Sequence, residues 1–161
     1  MSIEISPKFV KDIEESKIES YDKMNILLTK AGFKPASEIS LIIKTDYEGG
    51  TTEHMNEKDV QKAIDIIKEP GLFYELGKRE TKKEEYEIEG EKDKKYYLRE
   101  QMNILIGHSK EKLDFLKRAL EENSDEMLGK AFGFPPTSIE AFINKREKLN
   151  INTLPKEIRE S

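Results

Sequence analysis

Cysteine and tryptophan are absent from the 161 residues, and histidine occurs only twice. Without cysteine the chain has no disulfide, no thiolate nucleophile and no cysteine-ligated metal site. Apolar runs do not exceed three residues, whereas a transmembrane helix needs about 20. The first residues, Met1–Ile5, are acidic early and lack the apolar stretch of a secretory signal. These absences predict a cytoplasmic protein with no membrane association.

Charged residues of both signs are abundant in the sequence. Acidic residues number 33 and basic residues 28, giving a net charge of −5. This balance is typical of a well-solvated surface and disfavours a domain that grips a nucleic-acid backbone. The 25 Glu and 23 Lys, against 5 Arg and 2 Gln, match the bias of hyperthermophile proteins. An AT-rich genome, which favours lysine and isoleucine codons, is the alternative explanation.

The first thirty residues have the apolar spacing of two helices. Ser6 and Pro7 form a helix start, and the residues after them predict a helix to about residue 18. A second helix is predicted from Ser20 to Gly32, because glycine favours the backbone conformation that ends helices. Apolar spacing at i, i+3, i+4 and i+7 predicts its buried face as Met24, Leu27, Leu28 and Ala31.

From residue 38 the apolar period changes to that of a strand. Ile39, Leu41 and Ile43 alternate with mostly polar neighbours, which is typical of a strand with one buried face. A loop over residues 46–52 is predicted next. Asn56 then caps a third predicted helix.

Three further strands and a helical last third are predicted. Residues 72–78 and 86–89 have the composition of short strands joined by a charged connection, and 96–106 alternates as a long strand. Helices follow, including one over 125–132 and one that begins at Thr137, where the sequence fits a capping box.

The predicted order ααβαβββααα describes an α+β domain built on a four-stranded mixed sheet with packed helices. Little chain remains after the helix over 56–69 to cross the sheet, so the first two strands are predicted parallel, joined by a right-handed crossover. The meander then makes the last strand parallel to the first. One domain is expected over 1–150, with a helical C-terminal subregion over 124–150 and a weakly ordered tail over 151–161.

A single hydrophobic core is predicted from these elements. Alternate strand positions and one face of each helix point inward together. The predicted members are Ile39, Leu41, Ile43, Val60, Ile64, Ile67, Met102, Ile104, Leu113, Leu116 and Leu120.

The segment Leu128–Phe142 has the sequence LGKAFGFPPTSIEAF. It resembles a segment of small uncharacterised archaeal proteins, in which Gly-Phe/Tyr-Pro precedes a Thr, Ser or Cys pair and then Glu-Ala-Phe. The similarity covers this segment alone, and it implies no activity. Cysteine can fill the place of Thr137 or Ser138 in those proteins, and this chain has none.

The candidate functional residues follow the first and last predicted strands. If these strands are parallel, their carboxyl ends lie at one edge of the sheet, where ligands of open α/β sheets bind. Both loops lead into helix N-termini, which attract anions, and each holds one of the two histidines. The predicted ligand-binding residues are Gly49, Gly50, Thr51, His54, His108 and Ser109.

Simpler interpretations of these residues stay open. A Gly-Gly turn is neither a Walker A loop nor a dinucleotide-binding loop, and a histidine near a helix start is usually a partly exposed polar residue. The histidines with Asp46, Glu48, Glu53 or Glu57 could hold a divalent metal, but no metal and no cofactor is predicted. Residues 94–99 mix basic and aromatic side chains as in single-strand binding, although their acidic neighbours favour a solvated hairpin.

The sequence contains no catalytic motif that singles out catalytic residues, so a non-enzymatic protein is preferred and enzyme activity is left open. The predicted function is a small cytosolic binding or protein-interaction domain. Its expected partner is a protein or a small anionic ligand, and nucleic acid is not expected. The alternative is an enzyme, or an anion- or metal-ligand-binding protein, that uses the sheet edge near His54 and His108. The oligomeric state is left open.

Overall fold

The computed structural model describes residues 5–69 and 71–151, with the side chains of 142 and 145–151 left aside. The described residues form six helices and four strands. The helices are α1 (Pro7–Glu15), α2 (Ser20–Ala31), α3 (Glu57–Ile67), α4 (Lys110–Glu122), α5 (Asp125–Phe132) and α6 (Pro136–Ile151). The strands are β1 (Ala36–Tyr47), β2 (Gly50–Glu53), β3 (Phe73–Tyr86) and β4 (Lys95–Gly107).

The four strands form one sheet in the order β2-β1-β4-β3, and all three strand pairings are antiparallel. The α+β class, the four strands and the helical C-terminal third are confirmed. The mixed sheet is wrong, because β1 and β4 run in opposite directions. The predicted element order is also wrong, since the chain runs ααββαββααα.

The loop predicted over residues 46–52 is wrong, because the chain around Gly49 and Gly50 forms a β-hairpin. Gly49 lies in the turn of a hairpin, and Gly50 begins β2 opposite Tyr47 with a φ of 152°, which residues with a Cβ rarely adopt. The chain after the turn pairs with β1, with Thr52 opposite Thr45. The short strand β2 has no apolar alternation, so the sequence carries no hydrophobic pattern that marks it.

The second correction concerns β3, which was expected as two short strands. It is one strand that pairs with β4 from Phe73 opposite Gly107 to Tyr86 opposite Lys95. Its charged middle is exposed, so no buried face marks it in the sequence. Counting two strands there reversed the predicted direction of β4. β1 and β3 do share a direction, because each is antiparallel to β4, which lies between them.

Both faces of the sheet are covered, and each carries its own apolar cluster. The larger cluster lies between the sheet and helices α1–α3 and contains Ile39 and Ile104, which face each other across β1 and β4. The smaller cluster lies on the other face, with α4 and α5, and consists of Ala36, Leu116, Ala119 and Ala131. The prediction of one core is therefore wrong, because Leu116 belongs to the smaller cluster and Leu120 is 37% exposed.

Helix α2 buries a mainly polar face together with Ile26, and of the predicted apolar face only Leu27 packs against the larger cluster. Asp22, Asn25 and Thr29 are buried, whereas Met24 is 50% exposed. Strand β2 pairs with only the last part of β1, so the first part of that strand has an open edge. The backbone N–H of Ser40 on this edge donates to Asp22 Oδ2 at 3.2 Å. Helix α2 therefore closes the edge of β1 that β2 leaves open.

The C-terminal helix begins one residue before the expected cap. α6 starts at Pro136, because proline suits the first helical position, where its missing N–H costs nothing. Thr137 therefore lies inside the first turn and is not the cap. α6 extends to Ile151, so the predicted tail starts inside a helix, and residues 152–161 lie outside the described residues. In the part of the chain that is described, no helix combines the length and the hydropathy needed to span a membrane.

Candidate functional site

His108 follows β4 and is held in place by helix α2 and the connection after it. Its Nδ1 lies 3.1 Å from the carbonyl oxygen of Thr29, and its backbone N–H donates to Pro35 O at 2.9 Å. A Cβ built on Gly32, the left-handed residue that ends α2, would lie 3.2 Å from the imidazole ring. His108 therefore joins the end of α2 to the end of β4.

His54 lies beside the last part of β1, after the short strand β2. Its Nε2 lies 2.9 Å from Thr45 Oγ1, a buried hydroxyl, and its backbone N–H donates to Ile43 O at 2.8 Å. The residue itself is exposed. His54 is therefore exposed to solvent, and its ring contacts the hydroxyl of Thr45.

The remaining predicted site residues have local structural roles. Ser109 Oγ accepts the backbone N–H of Lys112 at 3.2 Å and caps α4. Thr51 Oγ1 donates to Asp46 Oδ1 across the β1–β2 hairpin. Gly49 lies in the turn of that hairpin, and Gly50 is the first residue of β2. Any ligand-binding role for these residues stays a prediction.

The structure does not bring the two histidines together. His54 is bonded to β1 at Ile43 and His108 at Pro35, just before the strand begins. Eight residues of extended chain separate these points, a distance of about 26 Å. One small ligand cannot touch both rings, so the shared site that depended on parallel strands is wrong. Within the described residues, no group of three or more His, Asp or Glu side chains is placed to hold a metal ion.

An apolar groove lies between α5 and α6, at the end of the molecule where β1 begins. Its volume is about 420 Å³. The side chains of Leu128, Phe132, Phe134 and Ile139 line it, together with Asp125, Gly129 and Ser138. Phe134 is 53% exposed, and its ring centroid lies 6.2 Å from that of Phe132, edge to face. The groove therefore presents an aromatic wall to solvent.

Two glycines allow the close packing that shapes this groove. A Cβ built on Gly129 would lie 2.6 Å from Ile139 Cγ1, so α5 and α6 approach more closely there than any other residue allows. Gly133 ends α5 with a φ of 82°, and its built Cβ would lie 2.7 Å from Pro35 Cδ. The helix pair is thus seated on the connection between α2 and β1.

One lysine links the groove to the core. Lys34 Nζ donates to Asn25 Oδ1 at 3.0 Å and lies 5.6 Å from the centroid of the Phe132 ring. Burial lowers the pKa of Lys34, because the charged form loses water there. Its ammonium group therefore packs against the aromatic ring of Phe132.

Among the described residues, the rim of the groove carries more acidic than basic side chains. Asp125 and Glu126 occupy the first turn of α5, and an adjoining hollow of about 540 Å³ beyond Ile139 is bordered by Glu126 and Glu140. Lys130 also borders this hollow, and its Nζ lies 3.2 Å from Glu126 Oε1. The apolar floor is therefore flanked by carboxylates.

A second hollow, of about 660 Å³, lies at the opposite end of the sheet, where the two hairpins turn. Its aromatic residues include Tyr96 and Tyr97, which belong to the basic-aromatic segment noted in the sequence. The basic side chains of this segment are engaged. Lys94 lies 3.6 Å from Glu85, Lys95 lies 3.6 Å from Glu48, and Arg99 lies 3.1 Å from Glu84. The segment therefore lies in the β3–β4 hairpin, and in these three pairs the carboxylates are not the acidic neighbours on which the prediction rested.

A ladder of polar side chains on the sheet face of the smaller cluster was missed by the sequence analysis. Ser40 Oγ and Gln101 Nε2 both donate to Asn103 Oδ1, at 2.8 and 3.1 Å. Arg99 donates to Gln101 Oε1 at 3.0 Å and to Glu84 Oε1 at 3.1 Å. Each strand alone has the alternation of a solvent-facing side. Only the register of β1, β4 and β3 shows that these side chains bond one another.

Comparison of the chain with protein-family models, with curated proteins and with solved structures finds no match. The resemblance of Leu128–Phe142 to archaeal proteins therefore stays a prediction. That segment forms α5, the turn and the first part of α6, so it is the segment that builds the groove.

Proposed function

We propose that this chain is a non-catalytic protein-interaction domain whose α5–α6 groove binds a basic, amphipathic helical segment of a partner protein. The observation that carries the proposal is the apolar groove itself. Its lining is mostly leucine, isoleucine and phenylalanine, and Phe134 is exposed beside it. Exposed apolar concavities of this kind mark recognition sites for apolar side chains.

The shape of the groove supports a helical occupant. Two helices that meet at Gly129 leave a channel along their seam, and the adjoining hollow beyond Ile139 extends it. An amphipathic helix can place side chains from successive turns into such a channel. Buried aromatic and aliphatic anchors supply most of the affinity at interfaces of this type.

The charge of the rim supports a basic partner. Glu126 and Glu140 are exposed beside the adjoining hollow, and Asp125 lies at the edge of the groove. Lysine or arginine on the outer face of the occupant would complement these carboxylates and speed association at low salt. The alternative function, an enzyme or an anion- or metal-ligand-binding protein that uses the sheet edge, receives less support, because His54 and His108 lie far apart along β1.

The test uses a defined probe and a matched pair of variants. The probe is a synthetic helical peptide with leucine at i, i+3, i+4 and i+7 and lysine on its other face, labelled for fluorescence anisotropy. Phe134→Ser is expected to weaken binding at least about tenfold, since it removes the exposed wall. Tyr96→Ser is the control, because Tyr96 is comparably exposed at 42% but lies at the opposite end of the sheet.

The same peptide with glutamate in place of lysine tests the charge argument. It is expected to bind more weakly than the lysine peptide at low salt, and the difference is expected to shrink as salt is raised. Equal affinity for the two peptides, or equal loss in Phe134→Ser and Tyr96→Ser, would remove the support for the groove.

A further inference from the structure

Strand β3 is the edge of the sheet opposite to the edge that α2 closes. It pairs with β4 on one side, and among the described residues no strand or helix pairs with its outer side. The stretch from Gly77 to Lys83 is exposed throughout. An edge of this length presents backbone N–H and C=O groups that another extended chain can pair with.

The charges on this edge do not simply repel another strand. Lysine on an edge strand usually prevents pairing, but here Lys78, Lys82 and Lys83 alternate in blocks with Glu80, Glu84 and Glu85. A strand with both signs in this pattern can match a partner that has the opposite order. A second copy of β3, running antiparallel, has that order.

Symmetry selects the register of such a pair. When two identical antiparallel strands continue one sheet, the two-fold axis passes through one residue, because paired residues must lie on the same face. A charged residue on the axis would face its own charge. Thr81 is the only uncharged residue between Lys78 and Glu85, so it is the only position in this stretch that avoids the clash.

We propose that two copies of this chain associate through antiparallel pairing of β3 with β3, with Thr81 on the two-fold axis, and so form a continuous eight-stranded sheet. In this register Glu80 of each copy faces Lys82 of the other, which gives two opposite-charge cross-strand pairs. This association is separate from the α5–α6 groove and does not depend on it.

The same register places Arg79 opposite Lys83 of the second copy, and each of these cations already has a partner. Arg79 donates to both carboxylate oxygens of Glu57, at 2.7 and 2.8 Å, and lies 3.8 Å from Glu100. Lys83 Nζ lies 4.1 Å from the centroid of the Tyr96 ring. The carboxylates of Glu57 and Glu100 offset the repulsion that two bare cations would have.

The absence of cysteine allows a direct test of the axis. In Thr81→Cys the two introduced thiols would face each other, with Cα atoms about 4.5–5.5 Å apart, within disulfide reach. In the control Lys83→Cys the two thiols would be displaced by four residues along the strands, about 13 Å. We expect Thr81→Cys to form a covalent dimer under mild oxidation and Lys83→Cys to remain a monomer on a non-reducing gel.

Charge reversal tests the cross-strand pairs without a covalent bond. Glu80→Lys and Lys82→Glu each turn both pairs into like charges, so each is expected to raise the dimer dissociation constant about tenfold in sedimentation equilibrium. The double variant Glu80→Lys/Lys82→Glu restores opposite charges and is expected to recover the wild-type constant. A monomer of 18.7 kDa at all concentrations, equal cross-linking at positions 81 and 83, or no recovery in the double variant would overturn the proposal.

Discussion

At the scale of single residues, Asp22 shows how the fold uses a buried carboxylate. It is 8% exposed, and its Oδ2 accepts the backbone N–H of Ser40. Burial raises the pKa of Asp22 above its usual value, and the charges of Glu19 and Glu38 act in the same direction, against the hydrogen bond from Ser40. The folded state therefore holds a proton on Asp22 more tightly than the unfolded state does.

This shift predicts the behaviour of Asp22→Asn. Ionised Asp22 costs stability above its raised folded pKa, whereas asparagine carries no charge and its Oδ1 can still accept from Ser40. We expect the variant to unfold at higher urea than the wild type near pH 7. The gain should shrink as the pH falls through the folded pKa of Asp22, because the wild-type carboxyl then becomes neutral as well.

Asp22→Ala is the control for the hydrogen bond. It removes the acceptor and leaves a strand N–H with no partner, which is expected to cost about 1–3 kcal/mol. A loss of stability in Asp22→Asn at pH 7 as large as that in Asp22→Ala would contradict the role assigned to the carboxylate.

Sequence patterns could not place these polar residues. Asp22, Asn25 and Thr29 lie at helical spacing, but side chains of these types are usually solvated, so the opposite face was predicted to be buried. What buries them is the open edge of β1, where Thr29 Oγ1 lies 2.7 Å from Ser37 Oγ. That edge exists only because β2 is short, which is a property of the sheet and not of the helix.

At the scale of elements, the pairing of β3 with β4 depends on one glycine. The register of the two strands shifts between Leu76 and Arg79. A Cβ built on Gly77, inside this irregularity, would lie 2.5 Å from the carbonyl oxygen of Asn103 on β4. Backbone cannot move aside as a flexible side chain can, so this contact requires glycine.

Gly77→Ala is therefore expected to destabilise the fold by about 1–3 kcal/mol, since the two strands must separate locally to admit the methyl group. Urea unfolding measures the loss, and amide hydrogen exchange should rise around Gly77 and Asn103 first. Gly49→Ala is the matched control, because a Cβ at Gly49 would meet nothing within 4 Å. Equal effects of the two substitutions would show that the close approach is not needed.

Elements with a buried apolar period were predictable, and those without one were not. Alternation in Ile39–Ile43 and in Met102–Ile106 correctly predicted parts of β1 and β4. The glycines at 32 and 133 correctly predicted the ends of α2 and α5. The strands β2 and β3 were missed or divided, because their exposed, charged residues carry no pattern that separates a strand from a loop.

At the scale of the whole molecule, the topology follows from where those two strands pair. Once β2 forms a hairpin with β1 and β3 is one continuous strand, β4 must run antiparallel to β1. The two histidines then contact opposite ends of β1 and lie far apart. The predicted shared site depended on strand direction, which local periodicity does not encode. The groove was also missed, because its apolar residues have the spacing of ordinary core positions. Only the packing of Gly129 against Ile139 shows that the neighbouring side chains line an open channel.

The central claim is that the α5–α6 groove is the binding surface of this molecule. The most direct measurement is an NMR titration of the isotopically labelled protein with the lysine-faced leucine peptide, followed at backbone amides and methyl groups. The account predicts that the largest shifts fall on Leu128, Gly129, Phe134 and Ile139, with little change at Thr51, His54 and His108. Shifts concentrated at the histidines or at the β1–β2 hairpin, with the groove unchanged, would contradict it.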